Sequence, residues 1–491
     1  MASSTLPNFR VVGFSGHRQI SEAPLIATAL REELARLRAS SPDEWIALSS
    51  VAEGSDQLFV EAACSLGLSW HAVLPLPRTD FAKDFSPAGW MQVEALLAKA
   101  EHVNIINENG TREDAYLDCG IETVNGADVL LVVWDGDEAR GKGGTGDVVA
   151  YARSLGKPLV VVDAATRAVH RENFTKLSAV DLTLTTLNHL PENSVGWGSN
   201  PLGAPDVIFA FQQKCDYAAS HGAPQVRRLI VATVILHVIA TLVAAGALAF
   251  GLHLTVVPWF KLFCLAGALG VALLLRYQHS HHHWVRCRLG SEICRSALAM
   301  WGLPRAAPLF EDLDMAAMQG LTRSLHILHR RAASNRTIGI DEFRRTYVEK
   351  RIEDQLAYYR QQESRASPLF VRLKVGFWIA TILALLCTLL YAVCHSIDAP
   401  VAEWVVQSVF YFAPIALPVL AAAFISLISI NDLQRRVARY REMQTLLAES
   451  RARLAYAQTW NSLERVVLKT ERALLQEVLE WHSITSFAES H

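Results

Sequence analysis

The hydrophobic pattern divides the chain into two unlike parts. Up to about residue 165, short apolar runs alternate with polar spacers: Arg10–Phe14, Trp45–Leu48, Trp70–Leu74, Val103–Ile106, Val129–Trp134 and Leu159–Val162. Runs this short and rich in Val and Ile suit central strands buried on both faces. The spacer Ala23–Leu37 is rich in Ala, Leu, Arg and Glu, with helical periodicity. The alternation predicts an α/β domain with a largely parallel sheet.

Beyond a Gly/Pro-rich stretch at 188–205, read as a long loop, the character changes. Leu229–Leu252 is nearly all apolar and long enough to span a bilayer as a helix. Phe260–Leu275 is long enough when Val257 and Pro258 sit in the interface and Lys261 snorkels. Val375–Cys394 and Trp404–Ile430 are the third and fourth spans, and Trp259, Trp378 and Trp404 fall near the ends, where aromatic belts form. Buried hairpins inside a soluble protein are the competing reading; four apolar runs, each flanked by charge, argue against it.

Arg227, Arg228, Arg276, Arg372, Lys374, Arg435 and Arg436 flank the spans on one side, while the short connecting loops carry His253, His395, Asp398 and Glu403 without Arg. Both hairpins are therefore expected to enter and leave on the cytoplasmic side of the cell inner membrane, with both termini cytoplasmic. The N-terminus lacks a basic start and a long apolar core, so no signal peptide is expected. His237 inside the first span fits either an aqueous path or a hydrogen-bonded packing role. Pro414 and Pro418 are expected to kink or loosen the fourth span.

After the fourth span an apolar stripe from Leu433 through Val437, Tyr440, Met443, Leu447, Leu454, Ala457, Trp460, Leu463, Val467, Leu474 and Val478 to Trp481 recurs mostly at helical steps. It suits packing within one chain or assembly of several; a pore built from hairpins needs several copies, which favours a homo-oligomer. The expected divisions are 1–165 (α/β ligand-binding domain), 166–226 (linker or extension), 227–277 (first hairpin), 278–371 (cytoplasmic helices), 372–431 (second hairpin) and 432–491 (amphipathic, coiled-coil-like helices).

Composition sharpens this only slightly. Of 491 residues, 51% are hydrophobic and 19% charged, with a net charge of -2. Soluble and membrane parts are thus joined, and no global basic field recruits a nucleic-acid duplex. The eight cysteines form no CxxC pair, which favours reduced thiols. The run Gln278–Trp284 (QHSHHHW) has no Cys or acid at usable spacing, so no metal site is expected and it is read as an interfacial segment.

Candidate chemistry lies in the loops after the strands, where open α/β sheets bind ligands. The first contributes Gly13, Ser15, Gly16, His17 and Arg18; the second, Glu53, Gly54, Ser55 and Asp56; the fifth, Trp134, Asp135 and Gly136, then Lys142, Gly143, Gly144, Thr145 and Asp147. Glycines admit close backbone approach, helix amides with Lys142 or Arg18 attract phosphate oxygens, and Asp56 or Asp135 can accept ribose hydroxyls. Each loop alone is equally a plain turn; four at one edge, including Pro75–Phe85, indicate a nucleotide-like pocket.

GFSGHR, AEGSDQLFVEAA, LPLPRTDFAKDF and ADVLLVVWDG…GKGGTGDVVAYAR, in this order over residues 8–165, resemble the SLOG group of Rossmann-like domains. Its hydrolase members carry PGGxGTxxE, whose Glu works with an Arg in cleaving an N-glycosidic bond. With Gly144 and Thr145 as the GT pair, Val148 takes the Glu position, Asp147 falls one residue early and Arg140 replaces the Pro. The resemblance implies a retained phosphate cradle with its acid out of register, although Glu53 or Asp147 remains open as a substitute. YVEKRIEDQLAYY and LKTERALLQEVLEW, over about 340–485, resemble the SLATT group, two-span domains of bacterial defence loci thought to form pores. The first hairpin, with WVRCRLGSEICRSALAMWGL after it, is similar to a diverged second copy.

The expected function is a membrane effector of anti-phage defence, gated by a nucleotide-derived signal such as a cyclic oligonucleotide or ADP-ribose derivative, with lipid as a partner and no cofactor required. A membrane-anchored nucleotide N-glycosidase or phosphoribohydrolase and a non-enzymatic scaffold are the alternatives.

Overall fold

The computed structural model describes residues 4–106, 111–138, 141–177, 182–191, 204–252, 254–277, 280–304, 318–333, 338–397 and 399–487. Most of the 188–205 loop, Arg140, His253, Gln278, His279 and Asp398 lie outside them, as do the side chains of Arg227, Arg228, Arg276, His281, His282, His283 and Trp481. The chain forms two compact units, Met1–His189 with Pro304–Arg336, and Leu190–Leu303 with Thr337–His491.

The first unit contains a seven-stranded mixed sheet. Its strands are β1 (Phe9–Gly16), β2 (Glu44–Ser49), β3 (Ser69–Leu74), β4 (His102–Ile105), β5 (Val129–Trp134), β6 (Leu159–Asp163) and β7 (Val169–Glu172). Its helices are α1 (Ala23–Ser40), α2 (Ser55–Ser65), α3 (Arg78–Phe81), α4 (Pro87–Leu97), α5 (Arg112–Gly126), α6 (Thr145–Ser154) and α7 (Leu182–Asn188). The strand order is β4-β3-β2-β1-β5-β6-β7. The pairings from β4 to β6 are parallel, and β7 is antiparallel to β6.

Alternation along each strand feeds both faces of the sheet. Val12, Phe14, Leu131 and Val133 pack with Ile26 and Leu30 of α1, Phe59 of α2 and Val93 of α4. On the opposite face Leu130, Val132 and Val161 pack with Val124 of α5 and Val148, Val149 and Ala152 of α6. Gly13 is required by close packing: a Cβ there would lie 2.8 Å from the Cβ of Ala127.

The lower rim of this sheet is covered by a helix from much later in the chain, Gln319–Ala333. Ile327 packs with Phe9 and Ile46. Arg323 pairs with Asp128 just before β5, and Arg331 with Glu44 at the start of β2 and Glu101 just before β4. These partners all sit at the amino ends of the strands, opposite the loops expected to bind ligand.

The second unit is helical. It holds α8 (Asp206–Ala249), α9 (Val256–Tyr277) and α10 (Ser280–Met300). The rim helix just described is α11 in chain order. Then follow α12 (Ile340–Tyr347), a π-helical stretch Val348–Glu353, α13 (Asp354–Ser396), α14 (Glu403–Val405), a second π-helical stretch Val406–Phe412, α15 (Ala413–Ile430), α16 (Leu433–Tyr456) and α17 (Trp460–Phe487).

Four helical segments are long and apolar enough to cross a membrane: Leu229–Ala249, Val256–Leu274, and stretches within Ile340–Ser396 and Glu403–Tyr456. The first and third belong to helices far longer than the apolar run. Pro258 lies in the first turn of α9, where its missing N–H costs no helix bond. Pro414 opens α15 directly after the π-helical stretch. The widened turn lies before Pro414, and α15 runs on through Pro418 as α-helix.

Within these segments α8 packs on α9 and α15, and α15 on α13. Small residues make the contacts: Ala240, Ala245, Ala268, Ala380, Ala384, Ala416 and Ala421 are buried. The C-terminal stripe is consumed inside the chain. Leu433, Val437, Tyr440, Met443, Leu447, Leu454, Ala457, Leu463, Val467, Leu474 and Val478 are all buried, with α16 against α13 and α17 against α10. The long amphipathic helices thus fold back on the chain that carries them, with the half-buried Trp460 against Phe343.

Candidate ligand pocket and hairpin-linking network

A cavity of about 910 Å³ opens at the carboxyl edge of the sheet. It lies where the strand order turns from β1 toward β2 on one side and β5 on the other. Its volume is in the range of small-molecule sites.

The first loop is pinned by backbone geometry. The His17 amide donates to the Val133 carbonyl at 3.2 Å, and the Ser55 amide (3.1 Å) and hydroxyl (2.9 Å) donate to the His17 carbonyl. Gly54 has φ +93°, and a Cβ there would lie 2.2 Å from the Arg18 carbonyl oxygen. Its glycine requirement thus comes from protein backbone. In the same way a Cβ on Gly143, at φ +80°, would lie 2.5 Å from the Leu117 amide.

Ser15, Gly16, His17, Arg18, Asp56, Asp135, Lys142, Gly143, Gly144 and Thr145 line the cavity. Gly13, Glu53, Gly54, Ser55, Trp134, Gly136 and Asp147 do not. Glu53 is exposed. Trp134 donates its indole N–H to the Asp137 carbonyl at 2.8 Å, with Arg153 over its ring. The Asp147 carboxylate accepts from the Gly143 amide at 2.9 Å and so caps the glycine turn itself. Val148 is buried against Gly120, and both also line the cavity.

Ser50, Asp84, Arg112, Glu113, Tyr116 and Thr123 also line the cavity and were not singled out from the sequence. Asp84 belongs to the Pro75–Phe85 loop. Arg112 and Tyr116, four apart, share a face of α5. The Arg18 guanidinium stands 5.1 Å from the Tyr116 ring centre. The Tyr116 hydroxyl donates to Asp84, which also pairs with Arg112. Burial, then the Asp84 carboxylate, push the Tyr116 hydroxyl well up. Lys142 pairs with Asp114.

Asp56 is buried in the first turn of α2, and burial raises its carboxyl to about 6 against the pull of Ser50, Ser49, Arg18 and the Ala52 amide. It accepts from Ser50 Oγ at 2.7 Å and Ser49 Oγ at 3.2 Å. These bonds brace Val51, a buried β-branched residue at φ +53°, a conformation costing about 1–3 kcal/mol. His17 Nε2 lies 3.0 Å from Asp135 Oδ1. Burial opposes ionisation of Asp135, but the Asp137 amide and His17 hold it below the usual carboxylate range. A stacking cation and ring, hydroxyls and first-turn amides of α6 suit a ligand with a flat group and anionic oxygens. Among the described residues no group of His, Cys, Asp and Glu is arranged to hold a metal.

The second unit has its own polar centre. The π-helical stretch Val348–Glu353 carries Arg351, whose Nε and Nη2 reach Glu471 of α17 at 2.9 and 2.6 Å. Tyr347 donates to the same carboxylate at 2.8 Å, and Arg351 reaches Ser296 of α10 at 3.3 Å. On α10, Glu292 pairs with Arg288 and Arg295, and Arg295 with Asp216 of α8. The buried Arg351–Glu471 centre thus reaches α10 through Ser296, and a second, partly exposed ion-pair cluster links α10 to α8.

Residues 347–481 match the family SLATT_1, SMODS and SLOG-associating 2TM effector domain 1. The SLATT_1 region begins at Tyr347 and takes in Arg351 and Glu471, so the buried network ties its two ends together. It covers a little over a quarter of the chain and includes α13 to α16 with the second hairpin. With the four apolar segments, it marks a membrane protein. No curated protein matches the chain.

Proposed function

We propose that the chain is a membrane-bound conflict or defence effector whose N-terminal pocket senses a nucleotide-derived second messenger and whose hairpins then permeabilise the membrane. The observation that carries this reading is the cavity at the reversal of strand order, the place where open α/β sheets take nucleotides. It supports the Rossmann-like, SLOG-type reading of the first unit, and the SLATT_1 match supports the effector half. In this reading Arg18 and Tyr116 hold a base, Thr145, Gly144 and Lys142 hold phosphate or ribose oxygens, and a cyclic oligonucleotide or ADP-ribose derivative is the ligand. The protein sits in the inner membrane with cytoplasmic termini and acts as a homo-oligomer. The ligand works by binding the open state better than the resting state.

The test is dye leakage from liposomes carrying the full chain, alongside ligand binding followed by mass spectrometry. Leakage is expected with a ligand that binds, and is lost in Arg18→Ala. Binding without leakage, for every ligand that binds, refutes the reading. The apolar Val148 lining the cavity where an acid would be needed, and Asp147 committed to the Gly143 amide, support binding over N-glycoside hydrolysis. Release of free base from nucleotides, abolished by Asp147→Ala, would reverse that preference.

A further inference from the structure

The apolar part of α8, Leu229–Ala249, contains a single ionisable residue, His237, near its middle. His237 Nδ1 lies 2.8 Å from the Thr233 carbonyl oxygen. A carbonyl only accepts, so Nδ1 carries the proton and Nε2 is left as an acceptor. The Thr241 hydroxyl donates back to the His237 carbonyl at 2.8 Å, and the Thr233 hydroxyl to the Leu229 and Ile230 carbonyls at 3.0 Å. Thr233, His237 and Thr241 thus form a polar stripe at four-residue steps, along one face of the helix.

The chain's own helices leave the middle of this stripe uncovered: His237 and Thr241 are exposed. α8 meets its neighbours through other residues, with Leu236 against Gly267, Gly246 against Phe412, and Ala240 and Ala245 buried. The main packing runs in the row α9, α8, α15, α13. Acyl chains offer no donor to Nε2, and ionisable groups at this depth face protein or water.

We infer that the Thr233–His237–Thr241 stripe is a self-association face, covered by the same stripe of a second copy of the chain. This rests on the reading that α8 crosses the membrane. Copies inserted in one orientation bring like residues to like depth. The hydroxyls of Thr233 and Thr241 then lie one helical turn to either side of the facing His237. Each hydroxyl now bonds a carbonyl in its own helix, and turning one outward supplies the donor Nε2 lacks. The contact is isologous, so each copy gives and receives the same bond. The stripe lies outside residues 347–481, so assembly through it is a property of the first hairpin rather than of the SLATT_1 region.

The test uses the full chain in phosphatidylethanolamine–phosphatidylglycerol vesicles without any nucleotide. A photo-crosslinking phenylalanine derivative is placed at Ala244, two turns along the same face with His237 intact, or at Ile235, which is 46% exposed and points to the other side of α8. Covalent dimers are expected from position 244, at least tenfold above those from 235. By mass after gentle extraction, His237→Leu is expected to shift the wild-type oligomer to monomer, His237→Gln to retain it, and Thr241→Val to weaken it. Crosslinks to lipid alone from 244, equal dimer yields from both positions, or a His237→Leu chain with the wild-type oligomer each overturn the proposal. Since no ligand or leakage is involved, a failed sensing reading leaves this result unaffected.

Discussion

Replacing Glu471 by Gln tests whether the buried network joins the helices or merely decorates their contact. In the native chain Arg351 and Glu471 have side chains only 5% and 0% exposed, and the carboxylate takes two guanidinium bonds and one from Tyr347. Burial alone disfavours a charged Arg351, and the Glu471 carboxylate more than offsets it, holding the guanidinium above its ordinary range. Glu471→Gln keeps the shape and removes the charge, so Arg351 is left buried with only Glu292 as a neighbouring carboxylate. Breaking one side of such a pair costs about 3–5 kcal/mol. For a unit of this size each kcal/mol is worth roughly 2–4 °C, so the unfolding midpoint should fall by on the order of 10 °C. The assay is thermal unfolding of the full chain in detergent, followed by tryptophan fluorescence. Removing both charges, as Arg351→Met with Glu471→Leu, should recover most of the loss, because two apolar groups need no partner. A midpoint within about 1 °C of wild type for Glu471→Gln, or a double variant no better than the single, would refute the reasoning.

Gly54→Ala should cost about 2–3 kcal/mol and abolish ligand binding, because its Cβ meets the Arg18 carbonyl, whereas Gly67→Ala, with φ +69° and open space, should cost about 1 kcal/mol; equal losses in denaturant titrations would contradict this. Arg18→Ala should weaken ligand binding roughly 10- to 100-fold by calorimetry, the worth of a charged hydrogen bond, and an unchanged affinity would remove Arg18 from the site. Acid should loosen the lower rim of the sheet. Burial and then Arg330 hold His102 down to about 3, and His71 and the α11 residue His326 are also lowered, chiefly by burial. Unfolding frees them to take protons, so their contribution is complete above about pH 6.5 and is lost as pH falls; for His102 the loss is about 2 kcal/mol at pH 5. Burial opposes ionisation of the neighbouring Glu101, yet His71, Ser69 and Arg331 hold it to about 2, so its own loss begins only below about pH 4.5. Unchanged stability between pH 7.5 and 5 would contradict the histidine assignment.

The six apolar runs of the first unit were legible because central strands are buried on both faces and need continuous hydrophobic sequence. β7 was not, since Val169–Glu172 is a partly exposed edge strand with no apolar run. α11 hides its partner for a related reason: part of its buried face is His326 and His329, which read as polar in sequence. At the pocket, Gly, Ser and Asp marked loops that line the cavity. They could not separate residues that meet a ligand from those that meet another loop, because glycine reports only that something comes close. Gly54, Ser55 and Asp147 proved to hold backbone. Arg112 and Tyr116 escaped notice because helix faces carry no turn signature.

The order in which the rim helix is made has a consequence for biogenesis. α11 leaves the ribosome only after α8, α9 and α10. The lower edge of the sheet, with Phe9, Ile46, Asp128 and Glu101 awaiting their partners, therefore stays unfinished until the first apolar hairpin has been synthesised. Domains usually mature as they emerge. Here a late segment withholds completion of an early one, so translation itself sets a delay between making the pocket and making it stable. A nascent chain arrested before Gln319 would carry a sheet with one bare rim, and so would any fragment cut from the front of the protein.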